Sequence, residues 1–290
     1  MVQSALLTGE YFRLNPGDIA LLCLPVDFIA GKMMVVRSFV LGLNLIPVEP
    51  KGNPIEGINS DFVFAAMTPM QISNILNEPD GIDKLNRIEK LIIGGSAIHP
   101  ELLQKIRLLL NETWHTYGMT ETLTHVAVRK LNAPGEYENF KALPGIRFQK
   151  DDRGCLTIIA RHVGGEKIQT NDMVALISDK EFKIVGRLDH IINSGGIKFS
   201  PEEIELKLSP FIQRKFIIAG FPDHRLGQKI VLIIEGSQQA KIDLKVLAKK
   251  ASLSKFETPA EVIYADQFPV TESGKVIRGD LINQCFSKKQ

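Results

Sequence analysis

The chain has 290 residues, 44% of them hydrophobic and 23% charged, with Lys+Arg 35 against Asp+Glu 33 for a net charge of +2. This length and composition allow one large or two ordinary domains whose core needs no disulfide or metal staple, and exclude collagen, coiled coil and a disordered chain. The near balance of charge excludes a protein that wraps nucleic acid.

In chain order, Ile19 to Leu24 (IALLCL) is a continuous apolar run closed by Pro25, as a buried strand requires. Ala30 to Leu41 has a helical pattern ending near Gly42, and Leu45 to Val48 reads as a second strand stopped by Pro50. Lys90 to Ile93 is another strand, followed at once by Gly94-Gly95. Pro100 opens a helix at the position where a missing N–H costs nothing, with Leu102, Leu103, Ile106, Leu109 and Leu110 as its apolar stripe. Trp114 to Tyr117 runs extended into Gly118. Strand, helix and strand in alternation predict an open α/β sheet.

After about residue 122 short strands recur: Val126–Arg129, Ile146–Gln149, Leu156–Ala160, Val174–Ile177 and Phe182–Val185. Turn signals such as Pro144-Gly145 and Asp179-Lys180 separate them, predicting a small β-barrel-like part. Residues 187–290 carry 16 basic and 12 acidic side chains, which suits an anionic ligand. Ser200-Pro201-Glu202-Glu203 has the form of a capping box, Phe216–Gly220, Ile230–Glu235 and Glu261–Ala265 read as strands, and Leu244 to Ala251 as a lysine-rich helix with a solvated face. The fold class predicted is α/β. Residues 1–186 form part of a large domain (1–120 an α/β part, 121–186 barrel-like), and residues 187–290 form a small α+β domain.

Cys23, Cys155 and Cys285 are widely spaced and show no C-x-x-C, as free thiols in a reducing cytoplasm do. The six histidines lack zinc-site spacing. The longest apolar segment, Ile29 to Leu45, is interrupted by Lys32 and Arg37, so no membrane span of roughly 18 residues is predicted.

Four motifs carry chemistry. Tyr117–Glu121 (YGMTE) offers an aromatic face for a base, a hydroxyl for a phosphate oxygen and a hard carboxylate oxygen for Mg²⁺. Thr170-Asn171-Asp172, read as a loop, offers a carboxylate to ribose hydroxyls. Gly186–Glu205 (GRLDHIINSGGIKFSPEEIE) joins an arginine, an acid two positions later, a Gly-Gly turn and a capped helix. Pro269–Arg278 (PVTESGKVIR) presents Lys275 after a glycine, but is no Walker loop, since Val276 and Pro269 stand where Ser/Thr and the first Gly belong.

In this order and spacing the motifs resemble the adenylate-forming superfamily of acyl-CoA synthetases, luciferases and peptide-synthetase adenylation domains, from about Asn15 onward. Leu24–Ser38 and His115–His125 are most similar to its o-succinylbenzoate–CoA ligase branch, of menaquinone biosynthesis. The resemblance implies an ATP-dependent ligase that joins a carboxylic acid to CoA through an acyl-adenylate, using Mg²⁺, with no nucleic-acid partner. Other acids, aryl or fatty, and a non-catalytic nucleotide or acyl binder are the alternatives. By the same resemblance, Gly94, Gly95, Ser96 and Ala97 line the adenine and acyl pocket, Tyr117 stacks on adenine, Thr120 meets the α-phosphate and Glu121 holds the metal. Asp172 and Arg187 hold the ribose, Asp189 is the domain hinge, Gly195-Gly196 borders the pantetheine tunnel and Lys275 is the adenylation lysine. Lys32, Arg37, His125 and Arg129 are candidate cations for a second substrate carboxylate. Two departures stand out. The superfamily's Gly/Ser/Thr-rich phosphate loop has no counterpart in residues 1–14, so the chain is expected to begin after it, with weakened ATP binding. Asp27-Phe28 also stands where many relatives carry a pocket-gating histidine.

Overall fold

The structure, a computed structural model, describes residues 1–132, 139–161, 165, 167–238, 242–271 and 276–287. The chain divides into two compact units. One comprises Met1–Thr170 with Ala175–Lys183, the other Asn171–Val174 with Ile184–Gln290.

The first unit is built on strands β1 (Ile19–Leu22), β2 (Asn44–Pro47), β3 (Phe62–Met67), β4 (Ile88–Ile93), β5 (Glu112–Gly118), β6 (His125–Lys130), β7 (Phe140–Ala142), β8 (Ile146–Lys150), β9 (Cys155–Ala160) and parts of β10 (Lys167–Ser178) and β11 (Glu181–Arg187), whose remaining residues, Asn171–Val174 and 184–187, count with the second unit. They form one sheet in the order β2-β1-β3-β4-β5-β6-β7-β11-β10-β9-β8. The first five pair in parallel, and β6 turns back against β5 to begin an antiparallel extension. Helices α1 (Val2–Phe12), α2 (Ile29–Leu41), α3 (Pro69–Leu76), α4 (Gly81–Asn86) and α5 (Pro100–Ile106) connect or flank the parallel strands.

The apolar runs explain this layering. Leu21, Ala65, Met67, Leu91 and Ile93 pack against Ile72 and Ile75 of α3 and Ile106 of α5. Each of the Leu, Ile and Met side chains stabilises the fold by roughly 1.5–3 kcal/mol. Thr68 and Gln71 close a reciprocal capping box around Pro69 that starts α3. In a parallel sheet of this kind ligands gather at the carboxyl ends of the strands. There the chain leaves β1 for Leu24-Pro25, β4 for Gly94-Gly95 and β5 for Met119-Thr120-Glu121.

Three local expectations change. The stripe through Leu110 ends early, because α5 stops at Ile106. Leu109 stays buried, while Leu110 is 89% exposed and its N–H donates to Asn86. Thr170-Asn171-Asp172 lies within the twelve-residue strand β10 rather than in a loop, since ladder pairing overrides the turn preference of Asn-Asp. Ser200 makes no capping bond, because its hydroxyl instead reaches the Val185 carbonyl at 2.9 Å and the Glu202 carboxylate at 3.0 Å.

The second unit carries β12 (Ile192–Ser194), β13 (Ile197–Phe199), β14 (Phe216–Asp223), β15 (Gly227–Glu235) and β16 (Glu261–Ala265), with α6 (Pro201–Leu208), α7 (Leu244–Lys250) and α8 (Arg278–Ser287). Its sheet runs β13-β12-β15-β14, with β16 parallel to β15. The central strands read as unbroken apolar runs because both faces are covered. Ile218, Leu232 and Ile234 pack with Ile204 and Leu208 of α6 and Leu247 of α7, while Ile217, Val231 and Ile233 pack with Leu281 and Cys285 of α8. All three cysteines are buried. Among the described residues no helix is long and apolar enough to cross a membrane.

Candidate functional site

Two groups of candidate residues form, one in each unit. In the first unit, β5 alternates so that Thr113, His115 and Tyr117 are buried while Gly118 and Glu112 are exposed. The Tyr117 ring packs edge-on to Phe182, with centroids 5.1 Å apart, and 5.8 Å from Phe140. Gly118 is required here. A Cβ would lie 2.4 Å from the Thr124 carbonyl oxygen and 2.7 Å from His125 Cα, so β6 can approach only a residue without a side chain. The strand pairing shifts at Tyr117/Gly118, and a short 3₁₀ turn, Thr120–Thr122, follows. Thr122 stabilises that turn by accepting the Met119 N–H at 3.0 Å. Thr120 and Glu121 are left exposed on the turn.

The Gly94–Ala97 segment lies beside β5, because β4 and β5 are neighbours in register, Ile93 against His115. Thr116 donates its hydroxyl to the Ile93 carbonyl at 3.2 Å, and His115 Nε2 lies 3.1 Å from the Ser96 carbonyl.

Of the four candidate cations, Arg37 and His125 converge on Thr124 Oγ1. Lys32 is exposed on α2. Arg129 donates Nε–H to His115 Nδ1 at 3.1 Å and stacks over Phe140 at 5.0 Å. His125 is buried, its Nδ1 3.3 Å from Thr124 Oγ1. Arg37 is 3% exposed and reaches Thr124 Oγ1 at 2.5 Å, with the Met34 sulfur at 3.6 Å from its other terminal nitrogen. Its Nε makes no hydrogen bond, and among the described residues no carboxylate pairs with it. Burial pulls its guanidinium down to about 10, which leaves it charged at neutral pH. A buried cation without a counter-ion is costly, and a substrate anion would relieve that cost.

In the second unit, Asp172 from β10 and Arg187 from the end of β11 meet at 3.0 Å. The other Arg187 terminal nitrogen holds Asp189 at 3.1 Å, and Asn171 donates to the same carboxylate. Arg187 and Asn171 hold the Asp189 carboxyl below the usual range. Asp172 is largely buried and Asp189 half exposed, so one arginine links an inner and an outer carboxylate. Gly195 and Gly196, at φ +61° and +80°, make the two-residue turn between β12 and β13, a geometry that glycine alone adopts without strain. Both are exposed.

Lys275 lies outside the described residues. The flanks of its loop do not: Val270 pairs with Val276, Ile277 donates its N–H to the Pro269 carbonyl at 2.8 Å, and Arg278 grips Glu205 through both carboxylate oxygens at 2.6 and 2.8 Å. Burial pushes the Glu205 carboxyl up, against the pull of Arg278. No local sequence signal points to the Arg278–Glu205 pair or the Arg129–His115 contact, because tertiary packing makes both.

Among the described residues no group of three or more His, Cys, Asp or Glu side chains could hold a metal ion alone. An exposed Glu121 fits a Mg²⁺ carried by a nucleotide, since that ion takes one or two protein carboxylates and completes its shell with phosphate oxygens and water.

Residues 1–154 match the model of the AMP-binding enzyme family. A 2–succinylbenzoate–CoA ligase of Lactococcus lactis is 27% identical over 91% of this chain, which spans 62% of that enzyme's length. The crystal structure of an acyl-CoA synthetase (AMP-forming)/AMP-acid ligase II-like protein from Dyadobacter fermentans is 35% identical over the whole chain and 83% of its own, with a TM-score of 0.63. An E. coli MenE structure with bound OSB-AMS superposes over the whole chain and 65% of its own with a TM-score of 0.75 at 22% identity, a likeness of fold.

Proposed function

The chain belongs to the AMP-binding enzyme family, and on that premise we propose that it serves an AMP-forming acid–CoA ligase whose acid is the dicarboxylate o-succinylbenzoate. The observation that carries the choice of acid is Arg37, a charged guanidinium buried against Thr124 with no carboxylate partner among the described residues. A fatty or simple aryl acid has nothing to offer that charge once its single carboxylate is activated. A second carboxylate does. The similarity to 2–succinylbenzoate–CoA ligases supports the same substrate.

In the proposed reaction a carboxylate oxygen of the acid attacks the α-phosphorus of ATP, and the bond to the β-phosphate oxygen breaks to release pyrophosphate. The CoA thiol, giving up its proton, then attacks the acyl carbon and AMP leaves. Thr120 and the backbone of Gly94–Ala97 orient the acyl-adenylate, with Tyr117 toward adenine and Asp172 and Arg187 at the ribose. Glu121 would hold Mg²⁺, which when bound offsets phosphate charge. Lys275 neutralises charge developing at the α-phosphoryl group. Gly195-Gly196 serves the pantetheine arm and Asp189 the hinge between the half-reactions.

The direct test supplies preformed acyl-adenylates and CoA and measures thioester by mass spectrometry. o-Succinylbenzoyl-adenylate is expected to react in preference to benzoyl- and fatty acyl-adenylates. Equal rates across the three would remove the dicarboxylate reading, and no thioester from any would remove the ligase reading.

Arg37 also predicts a trade between function and stability. Arg37→Met keeps the side-chain length and removes the uncompensated charge, so the variant is expected to unfold at the same or a higher urea concentration than wild type. A clear fall in the midpoint would mean that the guanidinium is already satisfied within the fold.

A further inference from the structure

The Gly94–Ala97 segment follows a strand whose neighbour, β5, reaches it with two consecutive side chains. Thr116 bonds the Ile93 carbonyl from one face, and His115 reaches the Ser96 carbonyl from the other. The His115 ring is 7% exposed. It is held between Ser96 and Arg129, the residue directly across the β5–β6 ladder from it, and lies 5.2 Å from the Phe140 ring over which Arg129 is stacked.

This arrangement fixes the proton on the imidazole. Arg129 Nε carries a hydrogen and has no lone pair to give, so His115 Nδ1 must accept from it. The remaining proton therefore resides on Nε2 and is donated to the Ser96 carbonyl, 3.1 Å away. Burial, helped by the Arg129 charge, pushes the ring down to about 3, so it stays neutral in this tautomer through physiological pH.

We propose that His115 is a positioning residue that clamps the Gly94-Gly95-Ser96-Ala97 segment through the Ser96 carbonyl, and that Arg129 acts through His115 by setting its tautomer rather than by touching the acid. This rests on the reading that the segment lines the acyl-adenylate pocket. Its donor goes to a carbonyl nineteen positions earlier, in the segment that follows the neighbouring strand. Holding that carbonyl fixes the peptide planes of a glycine-rich stretch that would otherwise sample many conformations, and ligand binding then costs less ordering entropy.

The test compares His115→Gln, whose side-chain amide nitrogen can replace Nε2–H, with His115→Leu, which has no donor. Binding of a non-hydrolysable acyl-sulfamoyl-adenosine is read by calorimetry. His115→Leu is expected to weaken binding about tenfold, as loss of a buried hydrogen bond implies, with His115→Gln recovering most of it and Arg129→Met falling between them. Wild-type affinity in His115→Leu, or equal losses in the Gln and Leu variants, overturns the proposal. A second measurement needs no variant. The ¹⁵N spectrum of the wild-type imidazole is expected to show a protonated Nε2 and a bare Nδ1 from pH 5 to pH 8, and a proton on Nδ1 overturns the clamp. Wild type that binds no adenylate refutes the pocket reading, whereas the ring-nitrogen spectrum tests the clamp separately.

Discussion

Lys275→Ala is expected to slow acyl-adenylate formation about 100- to 1,000-fold, the scale on which removing one preorganised electrostatic contact acts. Two anions must meet in that half-reaction, and charge builds at the α-phosphoryl group as pyrophosphate departs. An ammonium aimed there contributes to the transition state more than to the ground state, so the loss falls on the rate constant. The second half-reaction forms its bond at the acyl carbon rather than at phosphorus, so transfer from preformed acyl-adenylate to CoA is expected to change by no more than a few fold. The loop's base is firmly held, by the Val270–Val276 pairing and by Arg278 on Glu205, which makes a local defect confined to the lysine a realistic outcome of the substitution. Pyrophosphate release and thioester formation, measured separately, check this. Equal losses in both would contradict the role given to Lys275.

Acid is expected to destabilise the first unit through His115. An unfolded imidazole titrates near 6.5, whereas the folded ring is pushed down to about 3 by burial and then by Arg129. Between those values the unfolded chain binds a proton that the folded chain refuses. The stability that His115 contributes is therefore fully present above about pH 6.5 and is lost as the pH falls toward 3, at roughly 1.4 kcal/mol per pH unit. From pH 6.5 to pH 4.5 this amounts to about 2 kcal/mol. Urea denaturation at the two pH values checks it, with His115→Gln as the reference, because that variant keeps every other titrating group. The wild-type loss should exceed the variant's by that amount. Parallel losses would mean that His115 is not buried neutral.

The strands that were legible in the sequence are those whose apolar runs end at turn residues. Glu261–Ala265 forms over the expected span, and Ile19 starts β1 as its run suggests. The stretch from 51 to 89 carries signals of its own: Phe62–Met67 is a nearly unbroken apolar run, and Thr68-Pro69 followed by Gln71 is a helix start. Thr170-Asn171-Asp172 misled because Asn and Asp favour turns in isolation, while here Asn171 and Asp172 hold Asp189 and Arg187 from a long strand. The Ser200 box failed because a tertiary partner, the Val185 carbonyl, competed for its hydroxyl.

At the candidate site the motif residues could be named from the sequence, but their relations could not. Lys32 and Arg37 look alike along the chain. Only packing decides that Lys32 is exposed and Arg37 is enclosed. Arg129 was a candidate for the acid, and its distance from His115 depends on the register of β5 against β6, which no local pattern encodes. Asp172 and Arg187, fifteen positions apart, were expected to share one ribose; the fold brings them together as a direct ion pair at 3.0 Å, a contact set by the pairing of two strands that no local pattern encodes.

The choice of a dicarboxylate acid rests on Arg37. Calorimetry should compare the sulfamoyl-adenosine conjugate of o-succinylbenzoate with the conjugate lacking the ring carboxylate, against wild type and Arg37→Met. A charge-assisted bond to Arg37 makes wild type prefer the first by about 10- to 150-fold, and Arg37→Met should bind both alike. Equal binding of the two conjugates by wild type, or a preference that survives in Arg37→Met, would contradict it.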